Sequence, residues 1–120
     1  MTDIKPFAEH TPARIRLAQR AWPLLVGLAA SDNPLRTYGQ IAPQLDTGPM
    51  GVANALSPIQ SWCHENHKPY LQALIVSKKS GLPGEGYRGK RTKRAHAEEV
   101  RKVCAYRWPE EMPVLKDRIG

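Results

Sequence analysis

The chain has 120 residues, a formal net charge of +7 at pH 7 and 24% charged residues. This length predicts a single domain with one core, and an apolar fraction of 41% excludes a wholly disordered chain. Residues 61–120 hold thirteen Lys and Arg against seven acids, whereas residues 1–60 hold five against four. This asymmetry favours a polyanionic partner, of which nucleic acid is the commonest, with a merely solubilising surface as the alternative.

The cysteines and the apolar runs indicate the compartment. Cys63 and Cys104 lie far apart in a chain without a secretory signal at its start, so we expect reduced thiols in the cytoplasm. The longest apolar run, residues 21–30, contains Pro23 and Gly27 and is about half the length needed to span a bilayer. No membrane association is therefore expected.

The first third of the chain predicts an arm followed by a supporting helix. Residues 1–10 show no hydrophobic period and predict an extended arm or a frayed terminus. Thr11 and Pro12 are typical of a helix start, and residues 11–31 then repeat apolar side chains at a spacing of three or four. Pro23 interrupts that pattern, which predicts either a kink or two abutting helices.

Residues 37–87 predict a helix-turn-helix followed by a wing-like loop. Thr37 is placed to cap a short helix, residues 46–49 form a tight turn, and Pro49 opens a second helix. The second helix of such a pair is the candidate reader of a DNA major groove. Its outward face is predicted to carry five residues that can contact bases or phosphates, or simply be solvated: Met50, Asn54, Ser57, Gln60 and Ser61.

An apolar strand and a glycine-rich loop are predicted next. Residues 71–77, LQALIVS, predict a strand with one face buried, and residues 78–81 predict a hairpin-like turn. The three glycines of residues 81–87, GLPGEGY, allow the backbone to approach a ligand or a packed element closely. The Gly-Lys-Ser/Thr ending of a Walker loop is missing, so a phosphate cradle is not favoured.

The strongest electrostatic feature follows this strand. Residues 78–94 hold one acid and seven cations, which are Lys78, Lys79, Arg88, Lys90, Arg91, Lys93 and Arg94. Thr92 predicts the cap of a final helix with Cys104 and Trp108 on its inner side, and Pro109 is predicted to end it. The rest of the chain, residues 109–120, predicts a loosely packed tail.

Residues 37–87 resemble the DNA-binding, active-site domain of the alkyltransferases that repair alkylated DNA, and their non-catalytic alkyltransferase-like relatives. Residues 37–42, TYGQIA, look like the family's helix opening, and residues 52–56, VANAL, look like its recognition helix. Residues 75–87 look like its strand and pocket loop. The resemblance implies a winged-helix-like fold and contact of Tyr38 with DNA.

Three departures from the family pattern concern its chemistry. The family's Pro-Cys-His-Arg motif supplies the thiolate that accepts the alkyl group, and Gln72 stands at that cysteine's position. Met50 stands near the family's intercalating arginine, and Ile59 near its hinge asparagine. The resemblance therefore implies a binding scaffold that has lost methyl transfer.

One cluster, CHENH at residues 63–67, has side chains suited to metal binding or catalysis. Cys63 and His67 are four residues apart, but a zinc site needs four ligands and only the distant Cys104 or His96 are left to complete it. We therefore predict no metal. A nuclease that uses His64 or His67 as base and His96 as acid is an alternative.

The sequence thus predicts a mainly α protein with a winged-helix-like helix-turn-helix, a short β-strand or hairpin, and a basic segment and C-terminal helix over residues 88–108. We expect it to bind duplex DNA without catalysis, metal or cofactor. The predicted DNA-contacting residues are Thr37, Tyr38, Met50, Asn54, Ser57, Gln60, Lys78, Lys79, Arg88, Lys90, Arg91, Lys93 and Arg94. Besides the nuclease, the alternative is a phage or mobile-element inhibitor with a protein partner in a host protein–nucleic acid complex.

Overall fold

The computed structural model describes residues 4–113, and its elements are mainly helical, as predicted. In chain order they are α1 (Pro12–Ala29), β1 (Arg36–Thr37), α2 (Tyr38–Ile41), α3 (Pro49–Glu65), β2 (Ile75–Val76) and α4 (Lys93–Ala105). Three 3-10 turns accompany them, at Phe7–Glu9, Ala42–Leu45 and Leu71–Leu74.

Three tryptophans hold the centre of the core, where α1 packs against α3. The ring of Trp22 meets those of Trp62 and Trp108 edge-to-face, with centroids 5.3 Å and 5.7 Å away. Trp22 is fully buried, and its indole N–H donates to the Pro109 carbonyl at 2.8 Å. Met112 is buried as well, so the prediction of a loose tail is wrong as far as residue 113. The remainder of that predicted tail lies outside the described residues.

The segment before α1 is also packed, which makes the prediction of an arm wrong for residues 4–10. Phe7 is buried, and its N–H donates to a Glu65 carboxylate oxygen at 2.6 Å. His10 is buried with Nε2 at 2.8 Å from the Ser61 hydroxyl, which in turn donates to the Lys5 carbonyl at 2.6 Å. Single-sequence periodicity does not reveal such a segment, because its hydrogen bonds to α3 join residues more than fifty positions apart. Residues 1–3 lie outside the described part.

The burial of His10 predicts an acid-sensitive fold. Burial, followed by the charges of Lys5 and Arg14, lowers the pKa of His10 below its ordinary 6.5, against the opposing effect of Glu65 and Glu9. A depressed folded-state pKa gives stability that is complete above pH 6.5 and is lost as pH falls below it.

We therefore expect the free energy of unfolding in urea to decrease between pH 7 and pH 5. The variant His10→Gln should flatten this dependence, whereas His64→Gln, at an exposed histidine, should leave it unchanged. Identical pH profiles for all three proteins would show that His10 does not carry the effect.

The helix starts follow the predicted caps. The Thr11 hydroxyl accepts from the Arg14 N–H at 3.2 Å, and α1 then runs through Pro23 as one helix, which excludes two abutting helices. Thr92 caps α4 in the same way by accepting from Ala95. Extensive packing of α1 on α3 offsets the cost of about 3 kcal/mol that a proline imposes on a regular helix.

The predicted helix-turn-helix elements are present as α2, a turn and α3. Thr37 and Gln40 form a reciprocal capping box, with Thr37 N–H donating to the Gln40 side chain at 2.8 Å and Gln40 N–H to the Thr37 hydroxyl at 3.2 Å. Asp46, with φ of 56°, ends the following 3-10 turn, and Pro49 opens α3 as expected.

The predicted strand at residues 71–77 is largely wrong, whereas the turn predicted at residues 78–81 is present. Residues 71–74 form a 3-10 turn, and only Ile75 and Val76 pair as a strand, in parallel with Arg36 and Thr37. Residues 71–76 are all buried, and an apolar run without alternation does not distinguish a strand from a helical turn. A hydrogen-bonded turn does follow β2, where Ser77 pairs with the backbone of residues 81 and 82.

The last helix shows one further correction. Val103 is buried, but Cys104 faces solvent, which contradicts its predicted inner position, and His96 takes an inner position with Nε2 at 2.8 Å from the Ala73 carbonyl. Trp108 is buried although it lies beyond the helix end at Ala105. Across residues 4–113, none of the helices combines the length and the apolar character that crossing a bilayer requires.

Candidate functional site

A cavity of about 330 Å³ lies between α3 and the glycine-rich loop, which is within the size range of ligand sites. Its lining residues come from the starts of α1 and α2, from α3, from the 3-10 turn Leu71–Leu74 and from the glycine-rich loop. They are Arg14, Tyr38, Ala53, Asn54, Leu56, Ser57, Gln60, Gln72, Pro83, Gly84, Glu85, Gly86 and Tyr87.

Tyr38 holds one end of the loop. Its hydroxyl oxygen accepts from the Gly84 N–H at 3.1 Å. A Cβ atom on Gly84 would lie 2.8 Å from that oxygen, so a larger residue would push the ring away. The predicted close approach of a glycine backbone therefore occurs here, to a packed tyrosine.

Gln60 holds the other end of the loop and is a correction to the sequence prediction. Its amide nitrogen donates to the Gly86 carbonyl at 3.1 Å, and its amide oxygen accepts from the Arg88 N–H at 2.7 Å. Gln60 is only 7% exposed, so the prediction that it projects outward is wrong, as it is for Ser61. The physical reason is that residues 86–88 cover Gln60, while the segment before α1 covers Ser61.

The buried amide of Gln72 differs from that of Gln60 in its hydrogen bonding. It lies in the 3-10 turn before β2 and is 4% exposed, and it lines the cavity. Neither its amide nitrogen nor its amide oxygen has a hydrogen-bond partner among residues 4–113. Nearly all buried polar groups in proteins are paired, so this amide is an exception to that rule.

The unpaired amide predicts that Gln72→Leu stabilises the ligand-free protein. Leucine has nearly the same size and removes two buried polar atoms that lack partners, so the free energy of unfolding should rise by about 1–2 kcal/mol. Urea denaturation measures this change. A decrease in stability would instead show that the Gln72 amide is paired in the folded protein.

Tyr87 forms an aromatic wall between two concave surfaces. It is 8% exposed and packs edge-to-face on Tyr70, with ring centroids 5.6 Å apart. Burial, and then the charge of Glu99, raises the pKa of Tyr87 far above its usual value, so its hydroxyl stays protonated. Tyr87 also lines a second depression of about 510 Å³, whose rim carries Lys90 and Arg94.

All seven predicted cations between residues 78 and 94 are exposed. Arg88 is fixed by its main chain to Gln60 and by its guanidinium to the Glu85 carbonyl at 3.2 Å. Lys78 and Lys79 lie in the turn after β2, while Lys90 and Arg94 line the second depression. Five of the seven cations, from Arg88 to Arg94, therefore follow directly where the cavity loop ends.

The other predicted contact residues do not all lie on one surface. Tyr38, Asn54 and Ser57 line the cavity, whereas Met50 is 75% exposed one turn earlier on α3. The Thr37 hydroxyl is occupied as a helix cap. The sequence does not reveal that Arg14 lines the cavity. The helical pattern shows only that Arg14 lies off the apolar face of α1.

A reactive thiol is not available at the cavity. Cys63 is fully buried, and burial raises the pKa of its thiol to about 12, which keeps it protonated and unreactive. His64 and His67 are exposed near the end of α3, while His96 is buried elsewhere. Residues 4–113 contain no group of three or more His, Cys, Asp or Glu arranged to hold a metal ion.

Comparisons with protein-family models, with curated proteins and with solved structures found no match to this chain. The alkyltransferase resemblance therefore stays a hypothesis that rests on the residues of the chain itself.

Proposed function

We propose that this protein binds duplex DNA without catalysis, as a scaffold of the alkyltransferase-like type. One observation carries the proposal: a cavity beside α3 is closed by the glycine-rich loop, and that loop continues into a run of exposed cations. Concave sites flanked by positive charge suit a polyanion that also presents flat groups.

The fold elements support this proposal in three ways. The α2–turn–α3 unit has the order of a helix-turn-helix, and we interpret it as winged-helix-like, with the loop of residues 78–87 in the place of a wing. Met50, Asn54 and Ser57 then form the groove-facing side of α3. Gln72, the residue that the resemblance places at the nucleophile position, lines the cavity, so a pocket exists there without a nucleophile.

Salt dependence tests the electrostatic part of the proposal. If four to six of the cations between residues 78 and 94 meet phosphates, log affinity for duplex DNA should fall with log salt at a slope of roughly −4 to −5. Fluorescence anisotropy with a labelled duplex at several salt concentrations measures that slope. An interaction that ignores salt, or no binding at low salt, would contradict the proposal.

The two alternative functions stay hypotheses with their own tests. Incubation of DNA and RNA with the protein, in EDTA and then in Mg²⁺, examines the nuclease, since cleavage would require a catalytic site. A stoichiometric protein partner that survives nuclease treatment in a pull-down would favour the inhibitor. The cytoplasm is the compartment we propose, in keeping with two free cysteines.

A further inference from the structure

The second depression, beside the start of α4, contains the hydroxyl group of a buried tyrosine that has no partner. Tyr87 is only 8% exposed, and its hydroxyl makes no hydrogen bond to another residue of the described range 4–113. Its oxygen nevertheless remains accessible, in contrast to the enclosed amide of Gln72. Since most buried polar groups in proteins are paired, an accessible and unpaired hydroxyl in a concave surface indicates a position for a ligand atom.

The Tyr87 hydroxyl faces the second depression and not the cavity beside α3. A Cβ atom on Gly89 would lie 2.5 Å from the hydroxyl oxygen, and Gly89 lines the second depression. Burial raises the pKa of Tyr87, and the charges of Glu99 and Tyr70, which line the same depression, raise it further. None of these three neighbours lines the cavity. The ring of Tyr87 therefore separates the two concave surfaces, with its hydroxyl end in the second depression.

The groups around this hydroxyl fit an anion. Because of its raised pKa, Tyr87 keeps its proton and can donate it in a hydrogen bond. Lys90 and Arg94 lie at the rim, and Lys102 lines the same wall further along α4. The first turn of α4, after the cap Thr92, also lines the depression. There the helix dipole is positive and the first backbone N–H groups have no partner within the helix.

Two acids at the other end of the depression restrict where an anion can lie. Glu98 and Glu99 come one turn after Arg94, and the Glu99 carboxylate accepts from the Tyr70 N–H at 2.6 Å. Residues 88–102 hold seven cations against these two acids, so the local potential still favours an anion. Because the acids repel it, the anion belongs at the end formed by the start of α4.

The shape of the second depression selects a terminal phosphate. A phosphate within a DNA backbone carries a sugar on both sides, which keeps its oxygens from a recessed hydroxyl. A phosphate monoester has one substituent and a charge of about −2 at pH 7. We propose that the second depression binds the phosphate of a monoester, with Tyr87 donating to it and with Lys90 and Arg94 neutralising its charge. The phosphate belongs either to a DNA end, in which case the inference rests on the proposed DNA binding, or to a free nucleotide.

The first test compares three fluorescently labelled duplexes of one sequence at about 100 mM salt. One carries 5′-phosphates, one carries 3′-phosphates and one has only hydroxyl ends. Wild-type protein is expected to bind one of the phosphorylated duplexes at least about tenfold tighter than the hydroxyl-ended duplex. Tyr87→Phe, which removes the hydroxyl alone, should bind that duplex about tenfold more weakly, because a hydrogen bond to a charged group contributes about that factor. Its affinity for the hydroxyl-ended duplex should be unchanged.

Two further variants control this comparison. Tyr106→Phe makes the same change at a tyrosine outside the second depression and should behave as wild type. Glu98→Gln removes a negative charge from the depression, so it should increase the preference for the phosphorylated duplex about twofold. Urea denaturation confirms that each variant is folded, as expected for Tyr87→Phe because the ring that packs on Tyr70 is kept.

A second arm uses thymidine 5′-monophosphate and thymidine, with the backbone amides of residues 90–94 observed by NMR. Millimolar monophosphate should shift these amides in wild type and not in Tyr87→Phe, whereas thymidine should shift them in neither. A preference for phosphorylated ends assigns the site to DNA, and amide shifts without that preference assign it to free nucleotides. If the protein binds no duplex, the proposed function fails and the monophosphate alone decides the inference.

Three results would overturn the inference. The first is the absence of both an end preference and an amide shift, which would leave any DNA binding in place. The second is an equal loss of affinity for all three duplexes in Tyr87→Phe, which would show that the hydroxyl acts through the fold. The third is a lower preference for the phosphorylated duplex in Glu98→Gln, since removal of a negative charge cannot weaken a phosphate site by electrostatics.

Discussion

Replacement of four cations after the cavity loop by glutamine is expected to weaken duplex DNA binding by about 100-fold at 100 mM salt. The four are Lys90, Arg91, Lys93 and Arg94, all of which are exposed. Their loss removes charge without removing buried contacts, so the fold should be unaffected. The slope of log affinity against log salt should become less negative by about three to four, because each lost phosphate contact contributes about 0.9.

A matched variant separates position from total charge. It also replaces four exposed cations by glutamine, but on other parts of the surface: Lys5, Arg16, Arg101 and Arg107. Both variants have the same net charge, so a general attraction to DNA would be reduced equally in the two. A loss of affinity in the matched variant as large as in the first would contradict a localised DNA-binding surface.

Local sequence chemistry predicted the helix starts correctly, because a cap needs only residues a few positions apart. Thr11, Thr37 and Thr92 each accept a hydrogen bond from an amide three residues later. No distant contact is required for any of them. The same reasoning placed the turn before α3, where Pro49 sits at the first helical position.

The failures occurred where burial depends on distant segments. Gln60 looked like an outward residue because nothing nearby in the sequence shows that residues 86–88 return to α3. The packed segment around Phe7 was missed for the same reason, since its contacts lie on the far end of α3. Residues 71–74 failed because an entirely buried apolar run has no alternation to distinguish its structure.

The candidate site was predicted in part. The glycine-rich loop and Tyr38 were identified, and the resemblance placed Gln72 where the family carries its nucleophile. That Gln72 is buried and unpaired follows only from the packed structure.

The two cavity glutamines should respond in opposite ways to the same substitution. Gln60→Leu leaves the Gly86 carbonyl and the Arg88 N–H without their partner, so we expect the free energy of unfolding to fall by about 2–3 kcal/mol. Gln72→Leu removes an amide that has no partner and should stabilise the protein. Urea denaturation of the two variants side by side measures both changes.

Gln60→Leu should also weaken DNA binding, because the Gln60 amide holds the backbone of residues 86 and 88, where the run of cations at residues 88–94 begins. Gln60→Glu keeps an acceptor for Arg88 but buries a carboxylate against the Gly86 carbonyl, so it should destabilise the protein at least as much as leucine. Gln44→Leu, at an exposed glutamine, serves as the control and should change stability by less than about 0.5 kcal/mol. If Gln60→Leu were as stable as this control, the loop would not depend on the two hydrogen bonds of the Gln60 amide. Tyr38 and Tyr87 would then determine the shape of the cavity.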